Sequence, residues 1–154
     1  MFSKAVACAA LLLLVSCPMA GAGSSTEAAA LSGLEQILDL WRAEDYEELY
    51  TRLEHPPDKG WDYFAQRIVY ASRLPACCWE KLQDVKTSLV SDDTVIISAR
   101  VGFELEGVGT RFVVRDFTLH RRDGVWMLPM EVILDLANYN LQRIPRKIYE
   151  RTIH

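Results

Sequence analysis

Residues 94–133 read TVIISARVGFELEGVGTRFVVRDFTLHRRDGVWMLPMEVI, and this stretch decides the fold. From Thr94 onward, apolar residues alternate with polar or small ones, which is typical of a strand with one buried face. The sequence Glu106-Gly107-Val108-Gly109 predicts a turn, and Asp123-Gly124 predicts a tight hairpin. We therefore expect one strand to begin at Thr94 and two more to cover Arg111–Arg121 and Val125–Ile133.

Helical patterns precede these strands. Within residues 27–54, four apolar residues at spacings of three and four share one face: Leu31, Leu34, Leu38 and Trp41. Ser32 and Glu35 have the spacing of a capping box, which would start the regular helix there. The apolar stripe continues beyond Glu44-Asp45 and ends at Pro56-Pro57.

A second helical pattern begins at Trp61, with Asp58 as its candidate N-cap and Pro75 marking its end. A weaker strand pattern covers Glu80–Val90 and continues through residues 91–93 into the next strand. Helices followed by an antiparallel meander indicate the α+β class. We expect N-terminal helices packed on a curved antiparallel sheet of about four strands.

Two stretches resemble the nuclear transport factor two-like superfamily, also called SnoaL-like or cystatin-like. They are LWRAEDYEELYTRL (40–53) and FTLHRRDGVWML (117–128), and the resemblance spans about residues 31–135. It implies a sheet that curls around the long helix to form a cone, often with a pocket. Members of this superfamily include ketosteroid isomerase, dehydratases, transport factors and many lipoprotein domains with no known activity, so the resemblance implies a fold and not a reaction.

Strand register predicts which side chains face the inside of such a cone. The hairpin turn pairs Arg121 with Trp126, Leu119 with Leu128 and Phe117 with Met130. Matching Ile97 to Phe117 and Val95 to Leu119 then makes one continuous apolar face. The candidate ligand-pocket residues are Trp41, Tyr46, Tyr50, Tyr63, Phe64, Phe103, Arg115, Phe117 and Trp126.

Arg115 is the charged member of this set. One interpretation places its head at the rim of the sheet, and the other makes it a cation that receives a carboxylate or phosphate.

The same register argues against catalysis, because it directs the strand residues Asp116 and His120 outward. Ketosteroid isomerase-type chemistry needs a carboxylate base inside an apolar cavity. We therefore expect Asp116 to be a surface partner of Arg100 and His120 to be an exposed hairpin residue. We predict no catalytic residue, no metal site and no cofactor. An isomerase or hydro-lyase that uses the cone remains the enzymatic alternative.

The N-terminus predicts the location of the protein. Ala5–Val15 is an apolar run of signal-peptide length, too short to cross a bilayer as a helix. Leu14-Val15-Ser16-Cys17 resembles the lipobox of bacterial lipoproteins, which implies cleavage before Cys17, a diacylglyceryl group on its thiol and acylation of the new amino terminus with a fatty acid such as palmitate. The alternative is cleavage after Ala20-Gly21-Ala22, which would release a secreted protein.

These features divide the chain into a signal peptide (1–16), a lipidated cysteine with a short tether (17–30), the domain (31–135) and a basic tail (136–154). We expect a protein held at the periplasmic side of a bacterial envelope membrane. Its domain would be a non-catalytic module that binds an unknown small molecule or another protein, or a structural accessory of an envelope complex.

Charge and surface residues suggest the partners. Removing residues 1–16 takes away Lys4, which leaves 16 basic against 21 acidic residues and a net charge of −5, an argument against nucleic-acid binding. The tail residues Arg143, Arg146, Lys147 and Arg151 could bind an envelope protein or dock on the acidic first helix. A homodimer could form through four apolar residues expected on the outer sheet face: Ile96, Phe112, Val114 and Ile133.

Two cysteines besides Cys17 remain after maturation. We expect Cys77 and Cys78 to be partly buried thiols beside Trp79, because free cysteine behaves as a small apolar residue. An intermolecular disulfide or the capture of a soft metal ion are the alternatives.

Overall fold

The computed structural model describes residues 25–105 and 107–138, which form a mixed α+β fold. Its helices are α1 (Ser25–Arg42), α2 (Tyr46–Thr51), α3 (Trp61–Ile68) and α4 (Met130–Ala137). Its strands are β1 (Leu53–Glu54), β2 (Leu74–Pro75), β3 (Leu82–Ser91), β4 (Thr94–Leu105), β5 (Gly109–Arg122) and β6 (Val125–Pro129). The predicted signal peptide, the lipobox cysteine and the basic residues of the tail lie outside the described residues.

The strands form one curved, open sheet. Strands β3, β4, β5 and β6 make the antiparallel meander that the sequence predicts. Two very short strands extend it, because β1 pairs in parallel with β6 and β2 pairs antiparallel with β4. The sheet therefore has six strands rather than about four.

The predicted register between the two longest strands is confirmed, since Ile97 lies opposite Phe117 and Val95 opposite Leu119. The hairpin is confirmed as well. Asp123 and Gly124 both have positive φ values, of 50° and 81°, as a type I′ turn requires.

The prediction of a strand over Val125–Ile133 is wrong beyond Pro129. Pairing of β5 with β6 ends at His120–Met127, and Met130 begins α4, so the expected pairs Leu119–Leu128 and Phe117–Met130 fall outside the paired residues. The physical reason is helical spacing. Met130, Ile133, Leu134 and Ala137 recur at intervals of three and four and are all buried on one side of α4. Residues 136 and 137 consequently belong to the folded domain and not to the tail.

Helix α1 begins at Ser25, well before the predicted capping box. Ser32 lies in the interior of the helix on its exposed side, while Ala30 and Leu34 are fully buried. The helix thus includes residues 25–30, which the sequence assigns to the tether, although only Ala30 among them is buried. The chain breaks between α1 and α2, where Glu44 has a φ of 57° and Asp45 caps α2 by accepting a bond from the Glu48 N–H at 3.3 Å.

Helix α3 begins after Gly60 and ends at Ile68. The predicted Asp58 cap and the end at Pro75 are therefore wrong, although the helix begins at Trp61 as predicted and buries Phe64 and Ile68. Pro75 instead belongs to β2, where its carbonyl accepts a bond from Arg42 at 2.7 Å.

Helix α1 approaches the sheet closely at Gly33. A Cβ added at Gly33 would lie 2.6 Å from the Cβ of Trp126 on β6. The absence of a side chain at this position is thus what lets α1 lie directly against β6.

We predict that Gly33→Ala destabilises the protein, although alanine is about 1 kcal/mol more favourable than glycine in the interior of a helix. The added methyl group must displace α1 or Trp126, and overpacking of this kind costs about 1–3 kcal/mol. Urea unfolding of the full chain would measure the change in the free energy of unfolding.

Ser32→Ala is the matched control, since Ser32 is exposed and adjacent on the same helix. Replacing a serine in the interior of the helix should change the free energy of unfolding little, whereas replacing an N-cap serine would lower it by about 1 kcal/mol. A Gly33→Ala protein as stable as the natural one would contradict the close packing of α1 on β6.

Candidate functional site

The concave side of the sheet is filled with side chains. Trp41, Tyr46, Phe64, Phe103 and Phe117 have no exposed surface, and all belong to one hydrophobic cluster with the nearly buried Trp126. The rings of Trp41 and Phe103 lie 5.6 Å apart at a tilt of 55°, a geometry that favours aromatic pairs. These predicted pocket residues occupy the space that they were expected to line.

The other two aromatic candidates lie at the edge of this cluster. Tyr50 stacks on His55 with the ring centroids 4.8 Å apart and meets Trp61 edge-on at 5.5 Å. Burial raises the pKa of Tyr50 above its usual value. The Tyr63 ring lies 3.5 Å from the Arg67 guanidinium. Both tyrosines thus contribute packing on the helical side of the domain.

Arg115 lies opposite Ala99 and shares the concave face of β5 with Phe117. Its guanidinium donates to Asp135 of α4, and about one third of its side chain remains exposed. Asp135 therefore neutralises the arginine at the surface, which supports the rim interpretation over an anion-binding cation inside the cone.

The outer face carries the polar strand residues, as the register predicts, but with different partners. Asp116 accepts a hydrogen bond from Ser98, while Arg100 forms an ion pair with Asp84 at 3.3 Å. The predicted Asp116–Arg100 pair is thus wrong, because Arg100 turns toward β3. His120 is partly exposed, with its Nδ1 3.7 Å from a Glu54 carboxylate oxygen. Neither residue is a buried acid or base.

The apolar side chains of the outer face include Ile96, Phe112 and Val114, which we call the outer patch. Phe112 and Val114 are neighbours on β5, whereas Ile96 lies farther along the sheet, opposite Thr118. Phe112 is 38 % exposed and Val114 is 77 % exposed. The guanidinium of Arg100 lies 4.7 Å from the Phe112 ring. Ile133, which we had expected on this face, is fully buried within α4.

Two open grooves mark the surface of the described part of the chain. The larger, of about 340 Å³, lies between α1 and α2 and is lined by Gln36, Asp39, Leu40, Ala43, Asp45, Glu48 and Arg52. The smaller, of about 210 Å³, is lined by Leu53, Glu54, His55, Arg122 and Met127. Neither groove includes a predicted pocket residue. Asp39 and Glu54 are already paired, with Lys81 and Arg122 respectively.

The described residues contain no group of three or more histidine, cysteine or acidic side chains able to hold a metal ion. Within the same part of the chain, no helix has the length and apolar character needed to cross a membrane. No protein-family model matches the chain, and no curated protein is significantly similar to it in sequence.

The structure corrects the interpretation of the paired cysteines. Cys77 and Cys78 are free and exposed rather than partly buried, and Trp79 beside them is 73 % exposed. The local sequence Ala-Cys-Cys-Trp is apolar and indicates burial. Its exposure depends on contacts with a distant strand, which no local pattern could have indicated.

We predict that Phe117→Ala lowers the free energy of unfolding by about 3–5 kcal/mol, because it would leave a cavity in a packed core. Phe112→Ala, on the opposite face of the same strand, should cost about 1 kcal/mol because that ring is partly exposed. Chemical denaturation of both proteins would measure the difference. Equal losses would mean that the concave side is open rather than filled.

Proposed function

We propose that this chain is a lipid-anchored protein of a bacterial envelope whose nuclear transport factor two-like domain is a protein-interaction module. The observation that carries the proposal is the contrast between the two faces of the sheet. Aromatic side chains fill the concave face, whereas the opposite face presents the outer patch to solvent. A filled interior favours recognition at the surface over enclosure of a small ligand.

The lipobox supports the anchored location. Eight peptide steps separate Cys17 from Ser25, the first described residue of α1, and these can span at most about 28 Å. Two or three acyl chains would hold such a protein firmly, since each buried methylene adds about 0.8 kcal/mol. The domain would therefore work close to the membrane surface.

The partner that we propose is a second copy of the chain, meeting it through the outer patch. Charged residues of both signs surround that patch: the basic residues Arg100 and Lys86 and the acidic residues Asp84 and Asp116. A two-fold arrangement brings one patch against itself and can set each charge near its opposite. An envelope protein bound by the basic tail is the alternative partner.

Two other functions have weaker support. An isomerase or hydro-lyase would need a buried acid–base pair, and the strand candidates Asp116 and His120 lie on the outer face. A small-molecule binder could use the groove between α1 and α2, but five of its seven lining residues are exposed.

We predict that the natural chain, expressed in a bacterium, partitions with the membrane fraction and carries fatty acid. Cys17→Ser should remove the fatty acid and leave the signal peptide either uncut or cut after Ala22. Membrane fractionation, metabolic labelling with a palmitate analogue and intact-mass measurement would report this. The matched control is Cys8→Ser, which leaves the lipobox unchanged. A natural chain that is released and begins at Gly23 would contradict the anchor.

We predict that a photo-crosslinking amino acid placed at Val114 of the anchored protein yields a species of twice the chain mass in living cells. The same group at Gln66, an exposed position on α3, is the control and should yield none. Val114 lies at the centre of the proposed contact, so a second copy would be within reach. Identical patterns at the two positions would argue against the outer patch as an interface.

Native mass spectrometry of the protein purified in mild detergent separates the remaining functions. A dimer without added mass supports the interaction module. A stoichiometric extra mass other than the lipid would instead support a small-molecule binder.

A further inference from the structure

The segment between β2 and β3 exposes two adjacent thiols that the rest of the fold does not use. Cys77 and Cys78 are both free and exposed. Cysteine is among the residue types most often buried, so two exposed neighbours need an explanation. Trp79 follows them and leaves 73 % of its side chain in solvent.

Contacts with β4 hold this segment in place on both sides of the thiols. The Ala76 N–H donates to the Gly102 carbonyl at 2.8 Å, and the Gly102 N–H donates to the Lys81 carbonyl at 3.2 Å. A Cβ at Gly102 would lie 2.2 Å from the Glu80 carbonyl oxygen, so only glycine admits this approach. The thiols thus lie on a segment that is tied to a central strand at both ends.

The backbone at the thiols is strained. Cys78 has a φ of 59°, a left-handed conformation that costs a residue other than glycine about 1–3 kcal/mol. Its side chain gains no burial in return. Such strain, held by surrounding contacts, is typical of functional positions.

We propose that Cys77 and Cys78 together bind one soft monovalent metal ion of the Cu(I) class. Thiolates are the protein ligands that select Cu(I), and two of them suffice for an ion that accepts low coordination numbers. Structural zinc needs four ligands, and the described residues contain no group of even three suitable side chains. The pair therefore fits a soft two-coordinate ion better than zinc.

Charge balance around the pair is consistent with this chemistry. Binding replaces two S–H bonds by two copper–sulfur bonds and releases two protons, with no change in oxidation state, to give a site of charge −1. The nearby Arg42 guanidinium donates to the Pro75 carbonyl at 2.7 Å and is already paired with Glu104 at 2.8 Å, so the charge of the exposed bound site is left mainly to solvent.

The test uses the full chain, purified in detergent, reduced and kept free of oxygen. Cu(I) is supplied as its complex with a chromogenic chelator, whose absorbance reports transfer to the protein. The variants are Cys77→Ser, Cys78→Ser and the double substitution, and all leave the other cysteines as in the natural protein, so differences report on the pair alone. We expect the natural chain to take up one more Cu(I) than the double variant. Each single substitution should lower the affinity for this Cu(I) by about 100-fold, because the remaining thiolate loses the advantage of a second ligand linked to it.

Three further measurements allow a negative result to be interpreted. Circular dichroism should show that the serine variants fold, which their exposed positions lead us to expect. Uptake of Cu(I) should quench fluorescence in the natural chain, and Trp79→Phe should abolish this quenching while the stoichiometry stays unchanged. Lowering the pH should weaken uptake, because protons compete for both thiolates.

Equal uptake by the natural chain and by either folded single variant would overturn the proposal. So would a Cys77–Cys78 disulfide that persists in the reduced preparation, seen as a mass two hydrogens below that of the dithiol. A failure of the copper site would leave the proposed anchor and the outer patch untouched, since neither depends on these thiols.

Discussion

The register between β4 and β5 is the constraint on which the other features of this structure depend. The two strands pair over the whole length of β4, from Thr94–His120 to Leu105–Gly109. This register puts every buried residue of β4 from Val95 to Val101 on the concave side at alternate positions. A slip of one residue would turn Ser98 and Arg100 toward the core, and that would bury polar groups without partners. Burial of the apolar side chains along β4 therefore fixes this pairing, and these side chains lie away from the turns.

The apolar concave face of the sheet must then be covered by apolar side chains from the helices. Helix α1 places Trp41 against Phe103 of β4 and lies against Trp126 of β6 at Gly33. Helix α4 adds a second apolar stripe beyond Pro129, where the chain leaves the sheet. Because these side chains together fill the concave side, little volume remains there for a ligand. The surfaces left for recognition are the outer patch, the shallow grooves and the thiol-bearing segment.

Sequence patterns predicted the elements whose residues alternate over many positions. Strands β4 and β5 and the Asp123-Gly124 turn belong to this class, because each is specified by its own residues. Strands β1 and β2 contain two residues each and cannot show a period at all. Residues 130–137 were ambiguous, since Trp126, Leu128 and Met130 alternate as in a strand while Met130 and Ile133 also have helical spacing. The exposure of Cys77 and Cys78 depends on Gly102, which lies far away in sequence.

An anchored molecule can use a contact that would be too weak in solution. Stable complexes of free proteins bury about 1,200–2,000 Å² in total, and the outer patch presents only Phe112, Val114 and the partly covered Ile96 as apolar anchors. Two copies tethered to one membrane within about 28 Å of its surface share a thin layer, and confinement of this kind raises their effective concentration. The proposed anchor and the small patch are therefore physically linked, because the first supplies the proximity that the second requires. The same confinement limits the proposed partners to molecules that reach this layer.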